Sequence, residues 1–182
     1  EYKNRDQYLA ESVAQVDRLA AMVNDVLRSG NVAEQALRQE KRLRIDKLIA
    51  EVIDDYMLLA KTRGMTFEVN TEPATISANR DMMRHVISNL ASNAVRHGDT
   101  GSVITITCDQ HELAIENACR PLTRKQLQHV FDPFYRNNAT TKQYADSSGI
   151  GLYTVKMLLD AKGLDYDFTP HGRGMRFVVR FE

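Results

Sequence analysis

Segments of helical and of strand periodicity alternate along this chain, and the alternation predicts an α+β fold. The expected architecture is a two-layer α/β sandwich, a mixed sheet with helices on one face, preceded by a long bundle helix. Three observations carry this. Apolar residues recur at steps of three and four around residues 9–27, 48–59, 83–94 and 152–162. Short runs with period-two alternation lie between the last three of these. The chain closes on two further runs, 164–169 and 175–181, that flank His171-Gly172-Arg173-Gly174.

The first helix places Leu9, Val13, Val16, Ala20, Val23 and Leu27 at heptad spacing, with Leu19, Met22 and Val26 widening the stripe. Such a seam needs a partner, so a coiled coil or dimeric bundle is expected, the other reading being a helix folded back on its own domain. Ser29-Gly30-Asn31 stops it. Residues 1–30 are thus expected to be one bundle helix, 31–40 a polar linker and 41–182 the main domain. In that domain the segment 41–45 is a short strand, and Asp46 is placed to cap a helix running to about Gly64. Its apolar positions are Leu48, Ile49, Val52, Ile53, Tyr56, Met57 and Leu59. Strands follow at 65–70 and 75–78. A second helix runs from about Asn79 to His97 with Met83, Val86, Ile87, Leu90, Ala91 and Ala94 as its buried face. Residues 103–108 and 113–117 alternate as a hairpin. A short helix at 123–130, a polar loop at 137–148 and a helix at 152–162 complete the order before the closing strands.

Composition narrows the function. The 182 residues carry 24 Lys plus Arg against 24 Asp plus Glu, a net charge of zero, which gives no footprint for nucleic acid or for direct contact with an anionic membrane. At 43% hydrophobic and 26% charged residues the chain reads as an ordinary globular one. No apolar run approaches the roughly 18 residues of a membrane span. The two cysteines, Cys108 and Cys119, are too few for a disulfide framework and fit no zinc spacing, so free thiols in a reducing compartment are expected. The chain opens without Met in what reads as helix, so a piece of a longer protein is expected.

Candidate chemistry falls in four places. His85, Asn89, Asn93 and Arg96/His97 form one polar stripe beside the buried face of the second helix. Asn is a poor helix former. An Asn amide oxygen can ligate Mg²⁺, which usually bridges to substrate phosphates, and Arg96 could meet phosphate oxygens. The alternative is two solvated Asn on a surface helix. Second, Ser148-Gly149-Ile150-Gly151-Leu152 runs into a helix whose N-terminus suits phosphate, or is simply a tight turn. It matches neither a P-loop nor a dinucleotide fingerprint. Third, Phe131-Asp132-Pro133-Phe134-Tyr135-Arg136 looks like an apolar anchor for a movable lid. Fourth, Gly172-Arg173-Gly174 is a hairpin turn or a ligand-approach turn.

In this order the four motifs resemble the ATP-binding domain of bacterial sensor histidine kinases, in the wider gyrase–Hsp90–kinase–MutL (GHKL) ATPase family with its Bergerat ATPase fold. Residues 89–97 resemble the family's N box, 131–136 its F box, 148–152 its second glycine box and 172–177 its third, while residues 1–30 look like the second helix of the dimerisation hairpin. The resemblance implies Asn93 as the Mg²⁺ ligand, with Asn93 and Arg96 serving catalysis, Asn89 as a supporting contact and Arg96 as a phosphate contact. It implies His97 near the adenine, and Gly149, Ile150, Gly151, Leu152 and Gly174 around the nucleotide. The lid would span about 132–148, with Arg136 and Lys142 as further phosphate contacts.

The first glycine box departs from the family pattern. It falls on Asn117-Ala118-Cys119-Arg120-Pro121, where most relatives have an Asp that accepts a hydrogen bond from the adenine amino group. Asn117 can still accept and can also donate. The family's phosphoaccepting His, followed by an acid and Arg-Thr-Pro, is missing. His111-Glu112-Leu113 lacks the Arg-x-Pro, and His85, His97, His129 and His171 have no following acid.

The resemblance therefore implies an ATP–Mg²⁺-binding catalytic domain that does not autophosphorylate. It would be the cytoplasmic portion of a bacterial cell-membrane protein. In the parent the phosphoryl group would pass to a His and then to a response-regulator Asp. Its implied partners are ATP or ADP, a second copy through residues 8–27, and the response regulator. The alternatives are a degenerate nucleotide sensor or dimerisation scaffold, and a small GHKL-type Ser/Thr kinase.

Overall fold

The computed structural model describes residues 40–136 and 149–181, together with Val13 and Val16. The bundle helix and linker expected before residue 40 lie outside the described residues, apart from these two valines, which are helical and exposed.

Period-two segments become strands at Lys41–Arg44 (β1), Thr66–Thr71 (β2), Thr75–Ala78 (β3), Val103–Cys108 (β4), Glu112–Ala118 (β5), Tyr166–His171 (β6) and Gly174–Arg180 (β7). The helices are Ile45–Thr62 (α1), Arg80–His97 (α2), Arg124–Leu127 (α3) and Gly151–Lys162 (α4). Five strands pair in the order β2-β4-β5-β7-β6, with β2 parallel to β4 and every other pair antiparallel. A separate ladder joins β1 to β3. The sheet is therefore mixed, as the alternation predicts.

Register decides which residues share a face. Ile104, Ile106, Leu113, Ile115, Phe177 and Val179 stand opposite one another and are buried beneath α1, α2 and α4. The other face carries charge instead: Arg176 reaches Glu112 at 2.9 Å and Glu116 at 3.2 Å, and Arg180 reaches Asp167 at 2.6 Å. These partly exposed pairs set register more than they add stability.

α2 is the central element. Asn79 caps it, its side chain accepting from the Asp81 and Met82 backbone N–H groups at 2.9 and 3.1 Å. Met82, Met83, Val86, Ile87 and Leu90 are all at most 4% exposed, and each such burial contributes about 1.5–3 kcal/mol. α1 is locked alongside by the Tyr56–Ser88 hydroxyl pair at 2.6 Å and by Arg84–Asp55 at 2.7 Å. Arg63, at the end of α1, donates to the carbonyls of Val95 and, at 3.0 Å, of Gly98, capping the C-terminal end of α2.

Four expectations are corrected. Asp46 is not the cap of α1, because the helix begins one residue before it, with Arg44 at the cap and no side-chain cap bond. The Asp46 carboxylate instead binds the Arg44 guanidinium at 2.8 and 2.6 Å and the Ala74 N–H at 3.4 Å, tying β1 to the turn before β3. Met57 and Leu59 are exposed at 51% and 40%, since the last turns of α1 run past the edge of the core, where Ala60 alone turns inward. The helix expected at 123–130 shrinks to α3, held by a Thr123/Gln126 capping box and ended by turns. Leu164 precedes β6, because Gly163 takes a left-handed cap at φ 77° and the Leu164 N–H closes back on Leu159 O at 3.0 Å.

The environment of Asp46 makes stability acid-sensitive. Hydrogen bonds from Arg44, aided by the Ala74 N–H and opposed by desolvation, lower its pKa from 3.8 to about 2. A depressed carboxylate stabilises the fold fully above its unfolded value and loses that contribution as pH falls through the folded one. Asp46→Asn is expected to cost about 1 kcal/mol at neutral pH. Denaturant melts at several pH values should then show the variant and the parent chain converging between about pH 4 and pH 2. A difference that stays constant across that window would contradict the assignment.

Candidate functional site

The polar stripe of α2 and the start of α4 lie side by side. Asn89 donates from Nδ2 to the His85 carbonyl at 3.0 Å, which turns its Oδ1 toward Gly151. A Cβ at residue 151 would lie 3.1 Å from that oxygen, so glycine there keeps the first turn of α4 against the α2 amide. Among the described residues no side chain caps α4, and its first bond runs from Thr154 N to Ile150 O at 2.8 Å. A helix N-terminus of this kind presents N–H groups that suit an anion. Asn93 follows Asn89 by one turn, about 6 Å along the same face, and is half-buried.

The F box closes over this glycine turn. Phe131 packs edge-on against Tyr166, Phe168 and Phe177 with ring centroids 5.6, 6.5 and 6.3 Å away. Gly149, at φ 70°, accepts from the Phe134 N–H at 3.0 Å, and a Cβ there would come within 3.0–3.1 Å of the Phe134 and Tyr135 backbone. Phe134 itself has φ 64° and is 54% exposed, the one non-glycine with positive φ among the described residues. Such backbone costs roughly 1–3 kcal/mol and persists only where neighbours over-determine it. Phe131 is thus anchored in an aromatic cluster, and Phe134 is the strained, exposed corner of the loop that follows it.

At its other end, α2 comes up beside β5. Asn117 stands opposite Ile104 and Met175, on the sheet face that the helices cover. The Asp99 N–H binds Ala118 O at 2.8 Å and the Cys119 N–H binds Arg173 O at 3.3 Å, which fixes both ends of this loop. Gly174 faces Ala118 across the ladder, and a Cβ on it would sit 2.0 Å from the Asn117 carbonyl oxygen. Its lack of a side chain is therefore required by strand approach alone. At Gly98 a Cβ would meet Met65 Cε at 2.5 Å and Ala94 O at 2.6 Å, with Asn117 Nδ2 3.5 Å away. Gly98 thus leaves room for the end of α2 to close on Asn117.

The remaining expected residues divide clearly. Arg96 is half-buried in the last turn of α2. The His97 ring is exposed by area, yet it is surrounded closely enough that desolvation lowers its pKa, followed by the charges of Arg96 and Arg63. Ile150 is 1% exposed, so only its backbone can meet a ligand, while Leu152 packs partly buried against the core. Arg136 ends the F box, half-buried and held by neighbouring groups. Lys142, Ser148 and residues 137–148 of the expected lid lie outside the described residues. The cysteines are free. Burial, chiefly, pushes the Cys108 thiol up to about 12 and raises that of Cys119 as well. Sequence reasoning missed Arg63 and Gly98. The only sequence signals were an Arg beside Gly64 at a helix end and a Gly straight after His97.

A helix bearing two Asn, a glycine turn at a helix N-terminus and an aromatic-anchored loop over that turn thus come together on an α/β sandwich. Residues 78–182 match the family described as histidine kinase-, DNA gyrase B- and HSP90-like ATPase. The chain belongs to that family. It is 31% identical over 180 residues to the sensor histidine protein kinase HK06 of Streptococcus pneumoniae, covering 98% of this chain and 40% of that protein. It is 30% identical over 182 residues to the sensor histidine kinase CusS of Escherichia coli, covering 97% of this chain and 38% of CusS. The chain thus spans about two fifths of the length of these relatives. Among solved structures, full-length ShkA in complex with AMPPNP superimposes with a TM-score of 0.72 at 22% identity, covering 91% of this chain and 36% of that one, a likeness of fold. Among the described residues no helix is long and apolar enough to cross a membrane.

Proposed function

We propose that this chain binds ATP as its Mg²⁺ complex and is the catalytic portion of a sensor histidine kinase. The observation that carries this reading is the approach of Asn89 Oδ1 to Gly151, which sets an amide oxygen and a helix N-terminus side by side. A side chain at residue 151 would fill that cradle, so the residues present fit a phosphate chain with a hard cation beside it. Asn93 would ligate Mg²⁺, with Asn89 supporting it. Bound Mg²⁺ would neutralise charge on the transferring phosphoryl group.

The chain's own groups do the rest by position and charge. The opening N–H groups of α4 at Gly151 and Leu152 hold phosphate oxygens, and Arg96 stabilises charge developing in transfer. Gly149 lets the F-box backbone close over them. Asn117 holds the base, with His97 at its rim. Arg136 and Lys142 would add contacts from a lid over the phosphates. The scaffold reading rests on the altered first glycine box, yet Asn117 retains a hydrogen-bonding group at the base end.

In the parent protein the phosphoryl group would go to a His on the dimerisation hairpin, in a membrane-anchored dimer formed through residues 8–27, and then to a response-regulator Asp. This chain contains no His followed by an acid and Arg-x-Pro, so it would not label itself. Incubating it with γ-labelled ATP–Mg²⁺ and a separate bundle segment that carries the acceptor His tests this. Label is expected on the segment only. Label on the 182-residue chain itself, or no transfer to the segment, would contradict the proposal.

A further inference from the structure

We propose that the base end of this site accepts 6-oxopurine nucleotides as well as 6-aminopurine ones, because residue 117 presents an amide there. The inference deepens the nucleotide reading above and rests on it. The phosphate end is set by the α4 N-terminus and Gly151 beside Asn89. On that reading, in which Asn117 holds the base, the base lies toward the other end of α2, where the Asn117 amide packs beside Gly98. Asn89 and Gly98 are nine residues apart, about 13 Å of helix, room for a sugar and phosphates between them.

The Asn117 backbone is fixed. Its carbonyl packs on Gly174, and the two residues that follow it are bonded to Asp99 and Arg173. The amide on that fixed root offers a carbonyl acceptor on one side and an NH₂ donor on the other. Turned one way it accepts from a 6-amino group, and turned the other it donates to a 6-oxo group. Its Nδ2 already lies on the Gly98 side, 3.5 Å from where a Cβ of residue 98 would be. Strong rejection of an analogue arises when a site group is left without a partner. A reversible amide avoids that for both bases. A carboxylate at this position would only accept, and would repel a 6-oxo oxygen.

Competition of ATP and of inosine triphosphate, each with Mg²⁺, against a fluorescent ATP analogue measures this on the 182-residue chain. Inosine triphosphate differs from ATP at position 6 and in the N1 proton that the change brings. The two should bind within about tenfold of each other, and the near-isosteric Asn117→Asp should widen the gap to about a hundredfold, chiefly by weakening inosine triphosphate. ATP binding with inosine triphosphate more than about a hundredfold weaker in the unsubstituted chain would overturn the inference and leave the nucleotide reading intact. An unchanged ratio in Asn117→Asp would overturn the role of residue 117. Binding of neither nucleotide would overturn the nucleotide reading itself.

Discussion

Gly174→Ala is expected to destabilise the chain by about 3 kcal/mol or more. The added Cβ would sit 2.0 Å from the Asn117 carbonyl oxygen, 2.8 Å from its carbonyl carbon and 2.9 Å from the Ala118 Cα. All three are backbone atoms of a ladder that runs from Glu112↔Arg180 to Ala118↔Gly174, so relief requires opening the β5–β7 pairing. Gly172 provides the internal comparison. It has φ 55° with nothing within 4 Å of a built Cβ, so Gly172→Ala should cost only the left-handed backbone penalty, about 1 kcal/mol. Urea melts of the two variants separate the cases, and equal losses would refute the steric account. The same clash lies on Asn117, so Gly174→Ala should weaken nucleotide binding even at temperatures where the variant stays folded.

Asn93→Ala is expected to lower affinity for ATP–Mg²⁺ by about ten- to a hundredfold while leaving the weaker binding measured in EDTA nearly unchanged. Stability should move the other way or not at all. Asn93 is half-buried, on the polar stripe of α2, and Ala is a better helix former by several tenths of a kcal/mol. Loss of metal-dependent affinity with an unchanged or raised melting temperature is thus the signature of a ligand-holding residue. A variant that binds as tightly as the parent chain would show Asn93 to be a solvated surface residue.

Much of this was legible in the sequence, for local reasons. α2 could be read nearly in full because its apolar positions recur at helical spacing, although Met82 and Val95 are buried too. β3 and β4 begin and end where their alternation does. The polar stripe was legible because Asn89 and Asn93 are costly choices inside a helix. What could not be read depends on contacts far apart in the chain. Asp46 looks like a cap until Arg44 and Ala74 are placed beside it. Met57 and Leu59 match the period of α1, yet the core ends before it reaches them. Gly174 reads as a ligand-approach glycine until its partner strand is known, and Gly98 and Arg63 gain meaning only where α1, α2 and β5 meet.

Two close approaches at opposite ends of α2 organise the proposed site: an amide oxygen against a helix N-terminus at Gly151, and an amide against Gly98. Calorimetric titration of the 182-residue chain with ATP, once in excess Mg²⁺ and once in EDTA, tests this arrangement most directly. Saturable binding of one nucleotide per chain, strengthened by Mg²⁺, is the predicted result. No saturable heat with nucleotide up to millimolar concentration, with or without the metal, would contradict it.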